Sequence, residues 1–149
     1  MGTCLYELFT GHVLFTGRSN NEMLRLMLMV KGRPPHKLIR AHIRAYEILN
    51  LEPHFEPDLR FRQWDADPVT GKPFLKLVEV AATPPLQLET TLLSSKAGAD
   101  DRKMVVQLAD LLDKCLTLDP GKRCSVNEAL KHALFASSTT TNGTAGNKK

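Results

Sequence analysis

Apolar and polar positions change period along this chain, and the changes divide it into elements. Residues 2–10 are mostly apolar and read as a short helix with nothing to cap its first turn. Ser19-Asn20-Asn21-Glu22 then sets a Ser three residues before a Glu, the pattern of a capping box. The run Met23 to Val30 continues it as a largely buried helix, which Gly32 and Pro34-Pro35 stop. From His36 to Leu51 a more polar helix is expected, with Leu38, Ile39, Ile43, Tyr46 and Ile48 as its apolar set. Over 59–80 the period falls to two. Leu59 to Trp64 and Phe74 to Val80 alternate on either side of Asp67, Pro68 and Gly71, which predicts a β-hairpin with a long turn. A weakly helical, Ser/Thr-rich connection follows Pro84-Pro85. The clearest helix covers 101–117, with Met104, Leu108, Leu111, Leu112, Cys115 and Leu116 on one face. Ser125-Val126-Asn127-Glu128 is a second capping box and opens a last helix to about Phe135. From Ala136 to Lys149 only small and polar residues remain, and this tail is expected to be disordered.

Composition adds bounds. The 149 residues suit one domain, and 42% hydrophobic content is enough for a core. No apolar run approaches the roughly 20 residues that span a bilayer, so no membrane partner is expected. The first residues carry no basic leader and no small-residue cleavage site, which predicts no secretory signal. Cys4, Cys115 and Cys124 are odd in number and lack metal-ligand spacing, as do His36, His42, His54 and His132; the thiols are expected to be reduced and packed. A net charge of +4 permits acidic partners without demanding them. Arg25, Lys31, Arg33, Lys37, Arg40 and Arg44 form a basic stretch with no acid between Glu22 and Glu47, read either as a solvated face or as a dock for an acidic or phosphorylated partner. No RNA-stacking signature accompanies it, so direct nucleic-acid binding is not expected.

Between the last two helices lies Leu118-Asp119-Pro120-Gly121-Lys122-Arg123, followed by Ala129-Leu130-Lys131-His132 and Phe135. This resembles the end of a protein kinase C-terminal lobe, whose pattern is L-x-x-D-P-x-x-R and then A-L-x-H-x-x-F. Gly2 to Gly11 resembles the second half of that lobe's central helix, and Leu14-Phe15-Thr16-Gly17 follows in family order. The long segment between helices resembles the CMGC group of Ser/Thr kinases. Gly17 to Leu24, Pro35 to Arg40 and His54 to Phe61 resemble the splicing-associated pre-mRNA-processing factor four kinases within it. The stretch around His42 to Leu51 looks longer than the family pattern.

The resemblance implies a mainly α fold: a partial kinase C-lobe over 1–135 with a β-hairpin in a CMGC-type insertion at about 36–100. It implies a parent that phosphorylates Ser/Thr with ATP and magnesium, in the nucleus or cytoplasm, on protein substrates or spliceosomal proteins. Such a kinase needs a Gly-rich loop, a strand Lys, a catalytic-loop Asp and Asn, and a DFG Asp. None of these motifs occurs in this sequence. The expectation is therefore a C-lobe fragment that begins downstream of the active site, has no catalytic, cofactor or metal residue of its own, and has the upstream kinase lobe as its natural partner. A non-catalytic docking module is the alternative. The remaining site residues are structural. Arg123 resembles the family Arg that pairs with the Glu ending the activation segment, a Glu missing here, and Asp119 belongs to the same turn. Cys4 and Leu8 correspond to positions supporting the apolar stack under the nucleotide; without a nucleotide site they are expected to be ordinary core residues. Trp64 is expected to pack against the lobe, with a protein-binding anchor as the other reading.

Overall fold

The computed structural model describes residues 1–95 and 101–136. Its element order is α1 (Gly2–Thr10), α2 (Asn20–Lys31), α3 (His36–Ile48), β1 (Phe61–Ala66), β2 (Pro73–Val78), α4 (Leu88–Ser94), α5 (Arg102–Cys115), α6 (Val126–Leu130) and α7 (Ala133–Ala136). The mainly α fold with a two-stranded hairpin is as expected. The tail expected from 136 onward lies, beyond Ala136, outside the described residues.

Local chemistry sets the boundaries. The Ser19 side chain accepts from the Glu22 N–H, as its pattern predicts. The Glu22 carboxylate, however, reaches the N–H of Arg18 at 2.8 Å, one residue earlier than a capping box requires. The second box closes fully: Ser125 Oγ accepts from the Glu128 N–H, and the Glu128 carboxylate accepts from the Ser125 N–H. α2 ends at Gly32, where φ is +71 and an added Cβ would sit 2.5 Å from the Ala82 carbonyl oxygen, so conformation and space both demand glycine. The expected last helix is broken in two. It pauses at Lys131-His132, where the Lys131 and His132 N–H groups turn back to Glu128 and Ala129.

The main core joins α1, α4 and α5, with Tyr6, Leu92, Val105, Leu108 and Leu112 at its centre. Val105 and Ala109 carry the buried face of α5, whereas Met104, expected there, is 50% exposed. The contact stripe is rotated because α4 lies on the Val105 side of the helix. Gly2 lets α1 approach α5 closely: a Cβ there would stand 3.2 Å from Cys115 Cβ. A second, smaller cluster of Leu28, Ile39, Phe55 and Phe61 holds α2, α3 and the base of the hairpin. The hairpin is antiparallel, with Phe61 opposite Val78 and Trp64 opposite Leu75. Asp67 shapes its turn by accepting the Val69 and Thr70 N–H groups. Only Phe61 is buried, and most of both strands faces solvent. Trp64, expected against the lobe, is 48% exposed because the strands leave the core after their first residue. Among the described residues no helix is long and apolar enough to cross a membrane.

Candidate functional site

Three places carry the chemistry singled out above. The first is the turn between α5 and α6. Asp119 Oδ1 accepts the Gly121 N–H at 3.0 Å and its carbonyl accepts from Lys122, closing a tight turn around Pro120. The Arg123 guanidinium is exposed; its Nε donates to the Thr117 carbonyl at 2.9 Å and its terminal nitrogen lies 3.4 Å from the Leu118 carbonyl. A cation here also suits the carbonyl end of α5. Below the turn, Asp110 Oδ2 accepts from Lys114 Nζ at 2.6 Å and bonds His132 Nε2 at 2.8 Å. Those two donors hold the Asp110 carboxyl below its usual range. The Leu134 N–H points at His132 Nδ1, which makes that nitrogen an acceptor and places the ring proton on Nε2, facing Asp110. The contact ties the start of α7 to α5.

The second place is α1. Cys4 is exposed and Leu8 is 83% exposed, so both depart from the expected core packing. The face of α1 that meets α5 is the one bearing Gly2 and Tyr6, and Cys4 and Leu8 project from another side of the helix.

The third is the junction of α2, α3 and the hairpin, which sequence reasoning missed. Asn21 is the buried polar residue of the chain's described part. Its Nδ2 donates to the Arg62 carbonyl at 2.6 Å and its Oδ1 accepts the Trp64 N–H at 3.0 Å, so one side chain completes the unpaired edge of β1. Beside it His54 stacks on His42, whose Nε2 accepts the His54 N–H at 3.1 Å, with Tyr46 against both rings. Burial lowers the pKa of both histidines; each ring also faces a second group able to carry positive charge, His54 for His42 and Arg62 for His54. The Asn21 position was visible only as part of a cap pattern, since nothing local marks it as a hairpin anchor.

The basic stretch divides. Lys31 is drawn into an ion pair with Asp113 on α5. Arg25 turns to the Met29 sulfur. Lys37, Arg40 and Arg44 share one exposed face of α3 with Ala41, Ala45 and Ile48. Among the described residues no group of His, Cys, Asp or Glu could hold a metal ion, and every buried side-chain nitrogen or oxygen already has a partner.

No family model matches the chain. Individual relatives do. The serine/threonine-protein kinase prp4 of Schizosaccharomyces pombe is 40% identical over 136 residues, 91% of this chain and 27% of that protein. The serine/threonine-protein kinase prpf4B of Dictyostelium discoideum is 34% identical over 89% of this chain and 16% of its own length. The dual specificity protein kinase CLK2 of mouse is 28% identical over 91% of this chain. By sequence, the chain belongs to the CMGC protein kinases. It corresponds to a C-terminal lobe segment of that group, with prp4-type kinases among its relatives. It spans about a quarter or less of the curated relatives it matches.

Proposed function

We propose that this chain is the substrate-side, non-catalytic part of a Ser/Thr protein kinase that acts on nuclear proteins of pre-mRNA splicing. The observation that supports this most is the 40% identity to the prp4 kinase over 91% of this chain. In such a kinase ATP and magnesium are bound by the Gly-rich loop, strand Lys, catalytic-loop and DFG residues, and none of those motifs occurs in this sequence. The part played by this chain is support and docking. The exposed side of α1, with Cys4 and Leu8, faces the remainder of the lobe, and the Asp119–Arg123 turn holds the last helices on α5.

The test of the catalytic part is direct. The purified chain, incubated with labelled ATP, magnesium and a generic Ser/Thr substrate, transfers no phosphate above a protein-free control. Transfer above that control overturns the reading. The splicing-kinase parentage is tested by the transcript upstream of the Met1 codon: in-frame Gly-rich loop, catalytic-loop and DFG motifs support it, and their absence removes it.

A docking role is favoured by one observation. Lys37, Arg40 and Arg44 have no ion-pair partner among the described residues and share one exposed face of α3 with Ala41, Ala45 and Ile48. An acidic protein segment is the complement. Binding of an acidic peptide that weakens with added salt, and is lost in the triple Ala variant, supports the role; salt-independent binding, or none, removes it.

A further inference from the structure

Cys115 and Cys124 are separated in sequence by the whole Asp119–Pro120 turn, yet their sulfurs lie 3.6 Å apart. Cys115 closes α5 and Cys124 directly precedes the capping Ser125. The backbones beneath them are in contact too, since the Cys124 N–H points at the Lys114 carbonyl at 3.4 Å. Both residues are half-buried and carried by elements that the core holds in place, so their meeting is a property of the fold.

We infer that Cys115 and Cys124 form a peroxide-responsive thiol pair, a modification site that closes to an intramolecular disulfide across the Asp119–Arg123 turn. Closing the bond takes the sulfurs from 3.6 Å to the bonded distance of about 2.05 Å. The oxidant is hydrogen peroxide. One thiol attacks its O–O bond; that bond breaks, a sulfenic acid forms on sulfur and water leaves. The second sulfur then attacks the sulfenic sulfur. The S–S bond forms, the S–O bond breaks, and the displaced hydroxide takes the second thiol's proton as a further water. Two thiols lose two electrons and two protons, and one peroxide becomes two waters.

The order of attack follows from surroundings. Burial and the contact with Cys124 push the Cys115 thiol up, which keeps it protonated and makes it the resolving partner. Cys124 is oxidised first. Cys4, exposed on α1, has no thiol neighbour among the described residues. The closed bond braces the end of α5 to the start of α6 and holds the turn in which Arg123 binds the Thr117 carbonyl. This proposal stands whether or not the kinase reading does.

The test uses the full 149-residue chain carrying Cys4→Ser, which removes intermolecular pairing. The folded chain is treated with hydrogen peroxide, its remaining thiols are alkylated, and it is digested without reductant for mass spectrometry. Joined Cys115 and Cys124 peptides, separated by dithiothreitol, are expected. The oxidised chain should melt about 5–10 °C higher, as expected for closing a short loop by a cross-link. A further Cys115→Ser change should leave a sulfenic acid on Cys124 that a dimedone probe labels, and Cys124→Ser should leave Cys115 weakly labelled. Both thiols remaining alkylatable, or both ending as separate sulfinic acids, overturns the pair. So does disulfide formation that is equally fast in the urea-unfolded chain, because the folded geometry would then contribute nothing.

Discussion

The two hydrophobic clusters of this molecule are built on opposite principles. The α1–α4–α5 core is mainly aliphatic, with Tyr6 its one buried aromatic: Leu92 and Leu112 are fully buried and Val105 nearly so. The α2–α3–hairpin cluster is small and aromatic, and it depends on Asn21, His42 and His54 at its edge. Apolar burial is non-directional and tolerates small shifts. A hairpin edge pinned by one amide is directional, and loses its anchor when that amide is changed. The insertion is attached to the lobe by geometry more than by area.

The difference can be broken most forcefully in the first cluster. Leu112→Ala removes a fully buried side chain from the centre of α5 and should cost about 2–5 kcal/mol, read as a fall in the urea midpoint of the far-ultraviolet circular dichroism. The loss should be global, since α5 touches α1, α4 and α7.

A change at Asn21 should be smaller and confined. Asn21→Ala leaves the Arg62 carbonyl and the Trp64 N–H without their partner, at a cost of about 1–3 kcal/mol. Amide exchange should accelerate across β1 and β2 while α5 keeps its protection. Equal acceleration in α5 would show that the two clusters unfold as one.

The smallest expected effect is of pH. His42 and His54 have their pKa lowered below the usual value of about 6.5 by burial. Both rings are neutral in the fold and gain a proton more readily when the chain unfolds, so the unfolded state binds more protons as pH falls. Their contribution is fully present above about pH 6.5 and is lost as pH drops through that value toward the folded pKa. Between pH 7.5 and 5.5 the hairpin resonances should broaden or shift before those of α5, and His42→Phe should flatten the trend. A trend unchanged in that variant would assign the effect to other groups.

Much of the fold was legible along the chain because its signals are local. Capping at Ser125, the period-two alternation on either side of Asp67-Pro68, and the three- and four-residue spacing in α5 each act within a few residues. The D-P-x-x-R turn is local too, and its Asp119 and Arg123 both find partners within six residues in sequence. What tertiary structure decided was which side of each element faces inward. Met104 and Ile48 share the apolar period of their helices yet lie at the surface, because α4 claims the Val105 side of α5 and nothing among the described residues covers the end of α3. Cys4 and Leu8 are exposed for the same reason: α1 is seated on α5 through Gly2 and Tyr6. Asn21 meets the hairpin across 41 residues, and Cys115 meets Cys124 across the turn. Periodicity specifies a stripe on one element, but only the neighbouring element's position determines which stripe is buried and which distant side chains are brought within bonding range.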